Sequence, residues 1–360
     1  MSASDGGTYA PAPVPAAVVE PGDFTFAAIG LDHGHIYGMC QGLIGAGAGL
    51  KWVYDPDPAK VEQFRERFPD VRVARSEEEV LGDAEVGLVA GAAVTSERCA
   101  LGLRVMEAGK DYFTDKAPLT TLEQLAAARE AVARTGRKYA VYYSERVHVE
   151  TAVFAEQLIE QGAIGKVIQV IGLGPHRLNA PSRPAWFFER ARYGGILTDI
   201  GSHNVDQILH YTGSTDAEVV SSTIANHAHP EHPELDDFGD AHLVTDTGAV
   251  GYLRCDWFTP DGLQTWGDGR TFILGTEGYI EQRKYMNLAT SDGPGHLFLA
   301  NGEQERHFNV TGTVGYPFFG RLVLDCLNRT EDAMGQAHAF KAIEIAITAQ
   351  NQARDLSNRG

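Results

Sequence analysis

Phe24-Thr25-Phe26-Ala27-Ala28-Ile29-Gly30-Leu31-Asp32-His33-Gly34-His35 is the stretch that decides the fold class. An apolar run stops at a glycine, and Ile36, Met39, Leu43 and Ile44 then recur at helical spacing. That is a buried strand, a tight turn and an amphipathic helix. The alternation continues outward. Leu50-Lys51-Trp52-Val53-Tyr54 reads as a second strand ending at Asp55, and the helix after Pro58 puts Val61, Phe64 and Phe68 on one face. Ser76-Glu77-Glu78-Glu79 has the capping-box pattern of a helix start, its acidic run favoured by the helix dipole. Val86-Gly87-Leu88-Val89-Ala90, Tyr112-Phe113-Thr114 and Tyr139-Ala140-Val141-Tyr142-Tyr143 read as further strands. Between them lie helices carrying Cys99, Leu103 and Met106, then Leu122, Leu125, Ala128 and Val132. Strands alternating with helices of this length imply a parallel sheet covered on both faces.

In such sheets ligands bind beyond the carboxyl ends of the strands. The residues at those ends are Gly30 to His35, Asp55, Thr95, Asp115-Lys116 and Ser144-Glu145-Arg146. A glycine turn opening a helix, with a carboxylate closing the next strand, points to a dinucleotide site. Asp55 lies where a ribose 2′-hydroxyl would be held, and a carboxylate there repels a 2′-phosphate, so NAD is expected over NADP. The fingerprint departs from G-x-G-x-x-G, because Asp32 and His35 stand at the second and third glycine positions. His33 or His35 donating to a phosphate, with Gly34 beside them, would compensate. A strand-to-helix turn that holds no nucleotide is the competing reading.

Near Arg146 the alternation ends. A helix over Glu150 to Gln161 and a strand over Val167 to Leu173 lead to Tyr193-Gly194-Gly195-Ile196-Leu197-Thr198-Asp199-Ile200-Gly201-Ser202-His203-Asn204-Val205-Asp206. Asp199 and His203 share a face of one helix at this spacing, with Ile196, Ile200 and Val205 on the other. Gly201 between them suggests a flat partner approaching the backbone. An imidazole beside a carboxylate is a proton-transfer device near neutral pH, although a surface histidine with a capping aspartate has the same spacing. Beyond Gly213 the pattern is mostly β: Val219–Thr223, Ala241–Thr245, Val250–Trp257, Thr271–Leu274, Tyr279–Gln282 and Leu297–Leu299, broken by hairpin signals such as Asp246-Thr247-Gly248. A final amphipathic helix spans about Ala337 to Arg354. This is an open, mostly antiparallel α+β sheet, one face of which can join subunits.

The chain has 360 residues, 43% apolar and 22% charged, enough for two domains with real cores. A net charge of -18 disfavours nucleic acid and anionic membranes as partners. No apolar run approaches the roughly 20 residues of a membrane-spanning helix. Cys40, Cys99, Cys255 and Cys326 are scattered, which fits free thiols in a reduced cytoplasm. The Ala- and Pro-rich start lacks Lys and Arg, so a disordered tail over residues 1–23 is expected rather than a secretory signal. The domain reading is then residues 24–145 for nucleotide and 146–360 for substrate and subunit contacts. His227, His229 and His232 with Asp236-Asp237 have metal-ligand chemistry, but two prolines and a heavy charge load favour a solvated loop, and no metal is expected. Were one present, His203 with Glu145 and one of these histidines would be the place. No G-x-S-x-G elbow is present for acyl transfer.

The order of strand, glycine turn and helix, then Asp115-Lys116-Ala117-Pro118, then Gly194-Gly195…Asp199…His203…Asp206, resembles the glucose-fructose oxidoreductase/inositol dehydrogenase (Gfo/Idh/MocA) family from Phe24 onward. Asp-Lys-Ala-Pro varies the family's Glu-Lys-Pro, and Arg98 stands where the family usually has a histidine. The resemblance implies a Rossmann doubly wound sheet followed by the α+β domain, binding NAD and acting on a carbohydrate or cyclitol. It implies catalytic roles for Lys116, Asp199 and His203. Cofactor contacts would come from Gly30, Asp32, His33, Gly34, His35, Asp55, Thr95, Asp115 and Lys116. Substrate contacts would come from Tyr143, Arg146, His148, His176, Trp186 and His203. A homodimer or homotetramer through the second sheet follows from the same resemblance. A nucleotide-binding regulator without turnover, favoured by Asp32 and Ala117, and a glycoside lyase using NAD transiently are the alternatives from other classes.

Overall fold

The computed structural model describes residues 9–12, 14–287 and 293–357. Its first half alternates as the hydrophobic pattern requires. The order is β1 (Thr25–Ile29), α1 (His35–Gly45), β2 (Gly49–Tyr54), α2 (Pro58–Arg67), β3 (Arg72–Val73), α3 (Glu77–Leu81), β4 (Val86–Gly91), α4 (Arg98–Glu107), β5 (Asp111–Asp115), α5 (Leu122–Thr135) and β6 (Tyr139–Tyr142). The strands pair in parallel in the order β3-β2-β1-β4-β5-β6, which puts the topological switch between β1 and β4. Ser76 and Thr121 cap α3 and α5 by accepting from Glu79 and Gln124 amides, as their sequence signatures indicate.

The second half comprises α6 (Ser144–Val147), α7 (Glu150–Glu160), β7 (Val167–Pro175), α8 (Arg190–Tyr193), α9 (Ile196–Asp199), α10 (Gly201–Thr212), β8 (Ala217–Ala225), β9 (Phe238–Thr245), β10 (Val250–Asp256), β11 (Arg270–Gly275), β12 (Gly278–Arg283), β13 (His296–Asn301), β14 (Glu305–Asn309), α11 (Pro317–Asn328), α12 (Gln336–Gln352) and β15 (Arg354–Asp355). Nine strands form one sheet, β14-β13-β12-β11-β7-β10-β9-β8-β15. Its pairs are antiparallel except β7 with β10 and β8 with β15. Buried α10 packs on one face, where Asn204 reaches into the space left by Gly172 and Gly174 of β7.

Two sequence expectations are corrected. The first concerns the tail over residues 1–23. Residues 1–8 and 13 lie outside the described residues, but Tyr9 is buried and the Val18 amide donates to the Ala46 carbonyl at 3.0 Å. Val18 and Val19 pack on the core of the first sheet, so the alanine- and valine-rich segment is an arm with apolar surface to cover. The second concerns residues beyond 146. Helix α11 returns to the first sheet, where Phe318 and Phe319 share a core with Phe26, Met39 and Leu43. The approach of α11 to α1 is close enough that a Cβ on Gly42 would sit 2.3 Å from the Phe319 ring.

Candidate active site

Two glycines set up the catalytic segment. Gly194 and Gly195 have φ of 93° and 90°, and a Cβ on Gly195 would lie 2.2 Å from the Gln350 side chain. Gln350 sits there to accept from the Leu197 amide at 2.9 Å, and Asp236 accepts from the Ile196 amide at 3.3 Å. These contacts fix the start of α9, and hence Asp199 at its end. The single helix expected through this segment is instead two helices meeting at Ile200, with Gly201 opening the second. A Cβ on Gly201 would meet nothing closer than 3.6 Å, so this glycine serves no close approach. Asp199 and His203 nevertheless stay on one side, because Ile200 keeps right-handed helical dihedrals.

Lys116 reaches Asp199 from β5 across the cleft between the two sheets. Its Nζ is 2.8 Å from Asp199 Oδ1, and both side chains are almost wholly buried. The turn carrying Lys116 is held from beneath by Arg98, a fully buried guanidinium. Arg98 donates to the carbonyls of Ala93, Lys116 and Ala117 and pairs with Asp115 at 3.1 Å. Burial pushes the Asp199 carboxyl up, but the ammonium of Lys116 more than offsets this and holds it below the usual range. Burial, reinforced by Lys116, lowers His203 to about 3, so its imidazole is neutral at physiological pH. His203 Nδ1 is buried with no hydrogen-bond partner among the described residues.

Lys116, Asp199 and His203 line one cavity of about 490 Å³. Asp32, His33, Gly34 and His35 bound it on one side, and His176, Trp186, Glu145 and Lys284 bound it on the other. Glu145 and Lys284 pair at 2.6 Å. Beneath the cavity, both oxygens of Asp115 are engaged. His35 Nδ1 shares a 2.8 Å hydrogen bond with one, and His33 Nδ1 lies 2.8 Å from the other, off the line of a hydrogen bond. The Lys116 amide and Arg98 complete the shell. His33, His35 and Asp115 are the one group among the described residues whose ligand atoms could close on a metal ion.

The remaining sequence candidates fall outside the cavity. Tyr143 is buried and donates to the Ala339 carbonyl at 3.0 Å. Arg146 is locked to Asp206 by two hydrogen bonds of 2.7 and 2.9 Å and faces a separate cavity with His338. His148 packs on Tyr316 and Phe319. Thr95 is buried at a helix entry. The Asp55 carboxylate accepts from the Leu31 and Asp57 amides at 2.7 and 2.9 Å, so it shapes the glycine turn from inside. The His227–His232 loop is organised rather than merely solvated: Asp237 accepts the His227 and Ala228 amides, and His232 stacks on Phe188.

Neutral buried histidines make the fold acid-sensitive. Burial also lowers His176 to about 4. The unfolded chain binds protons on such groups near pH 6.5, whereas the folded chain does not. Stability is therefore full above pH 6.5 and is lost as pH falls towards the folded values. In that window His203 alone removes about 1.4 kcal/mol per pH unit. Thermal unfolding followed from pH 7 to pH 5 should show a loss of stability at least this steep, and His203→Asn should reduce the slope by about the His203 share.

The chain is similar to several known proteins. The GFO/IDH/MocA C-terminal domain matches residues 153–281. A crystal structure of a protein from Erwinia carotovora atroseptica SCRI1043, described as an oxidoreductase, is 52% identical with a TM-score of 0.90, covering 93% of this chain and 100% of that one. Levoglucosan dehydrogenase in complex with NADH and levoglucosan shares the fold at 18% identity, with a TM-score of 0.74 over 92% of this chain and 97% of its own. The scyllo-inositol 2-dehydrogenase (NAD(+)) of Bacillus subtilis strain 168 is 30% identical over 317 residues, 86% of this chain and 87% of that protein. The chain belongs to the GFO/IDH/MocA family. Against the family pattern, Arg98 now has a structural reason: with Ala117 in place of proline, its guanidinium fixes the turn through the carbonyls on either side. Asp32, at the second glycine position, is neutralised by Lys60 at 2.6 Å.

Proposed function

We propose that the protein is an NAD-dependent oxidoreductase moving hydride between a ring CH–OH of a sugar or cyclitol and nicotinamide. The observation that carries this is the Lys116–Asp199 pair and the neutral His203 on one cavity at the carboxyl end of a parallel sheet. The dinucleotide fits the other end of that cleft. Helix α1 begins at Gly34 and His35 with no side-chain cap; the Ile36 and Tyr37 amides bond back to the His33 and Gly34 carbonyls, which leaves the Gly34 and His35 amides to a pyrophosphate. Asp32 and Asp55 both lie beside Lys60, at 2.6 and 3.8 Å, and this pair of carboxylates disfavours a 2′-phosphate and so favours NAD over NADP.

When bound, nicotinamide supplies the hydride acceptor or donor. The residues handle the proton. Neutral His203 takes it from the substrate hydroxyl, and the Lys116 ammonium stabilises the oxyanion that develops there. Asp199 holds the ammonium in place, and the aromatic wall at Trp186 offers a surface for an apolar ring face. We also place the protein in the cytoplasm as a homodimer or homotetramer. Its support is the sheet face turned away from α10, where exposed Leu274 and Tyr279 lie directly across neighbouring strands; light scattering of the purified protein tests it.

The decisive experiment incubates purified protein with NAD or NADP and a panel of sugars, sugar acids and inositols, following absorbance of the reduced cofactor. Mass spectrometry identifies nucleotide carried through purification. NADH formation with at least one carbohydrate, at least tenfold faster than NADPH formation, is expected. Bound nucleotide with product but no net reduced cofactor would instead point to a lyase. Bound nucleotide without any product would point to a regulator.

A further inference from the structure

The cavity walls carry three cations, and two of them are already paired. Lys116 has Asp199 at 2.8 Å, and Lys284 has Glu145 at 2.6 Å. The third, Arg183, has no carboxylate within ion-pair distance among the described residues. Asp32, the remaining acid on the wall, is taken by Lys60.

Arg183 is held in place with one nitrogen left open to the cavity. Its Nε donates to the Leu178 carbonyl at 2.9 Å and its Nη2 to the Arg177 carbonyl at 3.3 Å, while Nη1 has no partner among the described residues. Three rings surround the guanidinium, Phe187 at 4.4 Å, Trp266 at 5.2 Å and Trp257 at 5.3 Å from its central carbon. Aromatic faces attract a cation and fix its orientation, but they do not replace the hydrogen bonds water would give it. A guanidinium keeps its charge even where burial disfavours it. The result is an oriented cation on the substrate side of the cleft with one donor edge unused.

Resting on the dehydrogenase reading above, we infer that Arg183 receives the carboxylate of the substrate, which makes the preferred substrate class a sugar acid rather than a neutral sugar. One guanidinium edge matches one carboxylate in charge and in number of donors. A phosphate group would call for further unpaired cations, and the other two on this wall are engaged.

The test compares matched pairs, D-glucose with D-glucuronate and D-galactose with D-galacturonate, and includes D-glucose 6-phosphate, each with NAD. The acid of at least one pair should exceed its neutral partner in kcat/KM by about 10- to 100-fold, the effect of one charged hydrogen-bonded contact. Arg183→Gln should erase that ratio mainly through KM, and Arg183→Lys should restore part of it. A purely structural role for Arg183 would lower activity on acid and neutral sugar alike and leave the ratio unchanged. Equal or better use of the neutral sugars, or a ratio untouched in Arg183→Gln, would overturn the inference, and so would preference for the phosphate ester. Calorimetric binding of D-glucuronate to NAD-loaded protein separates the two levels. Carboxylate binding lost in Arg183→Gln, with no turnover of any sugar, supports this subsite and sinks the dehydrogenase reading. Turnover of neutral sugars with no gain for acids does the reverse.

Discussion

Lys116→Met should lower kcat by about 10²- to 10³-fold, the range found when a preorganised charge at a developing oxyanion is removed. His203→Asn should cost about 10²- to 10⁴-fold, the range for loss of a general base. Both effects should fall mainly on kcat, and His203→Asn should leave NAD affinity almost unchanged, because His203 is a candidate substrate contact and not a cofactor contact. The physical reason lies in how the pair is built. Lys116 is nearly buried and has a single carboxylate partner, so its charge acts in a low-dielectric site where it is worth far more than in water. His203 is neutral because burial and that same ammonium penalise its protonation, and it becomes a useful base only as the substrate oxygen becomes anionic. The two substitutions therefore act on one event, and the double variant should lose little more than the worse single one. Single-turnover absorbance measurements with saturating substrate provide the check. A Lys116→Met enzyme that keeps more than a tenth of the wild-type kcat would remove Lys116 from the chemistry.

How far the sequence exposed this arrangement follows from what each residue does. The parallel sheet was legible because its strands are continuous apolar runs and its helices carry clean periodicity, both local signals. Lys116, Asp199 and His203 were legible because each sits at an element end, where side chains face a cleft. Tyr143, Arg146 and His148 share that position in sequence, yet α6 turns them away from the cavity. Their partners Ala339, Asp206 and Phe319 come from far along the chain, so no local pattern marks them. Arg183 and Lys284 were missed for the opposite reason, since each lies in an irregular segment and acquires meaning only when the second sheet brings it to the cavity. Helix α11 did leave a readable trace, Phe318, Phe319, Leu322, Val323 and Cys326 after Pro317, which is a helical stripe with proline at the first turn. Strand β14 left none, because it is an edge strand on which only Phe308 is buried.

Replacing Arg98 by Met should be the most destabilising single change in the site, about 3–5 kcal/mol, because it removes one partner of a fully buried ion pair. Arg98 and Asp115 are both inaccessible to solvent, so no water can take over the lost contacts. The Ala93, Lys116 and Ala117 carbonyls would lose their Arg98 donor together, and the Asp115 carboxylate would lose its only cation with a fixed charge among the described residues while keeping His35 and the Lys116 amide. Lys cannot substitute, since a single ammonium does not span a guanidinium's fork, and Arg98→Lys should recover only part of the loss. Urea unfolding at pH 7 measures this through the midpoint at unchanged slope. The same variant should also lower kcat, because two of those carbonyls set the turn that aims Lys116 at Asp199. A stability change below about 1 kcal/mol would mean that the Asp-Lys-Ala-Pro turn holds itself. Arg98 would then merely fill space where the family usually places a histidine.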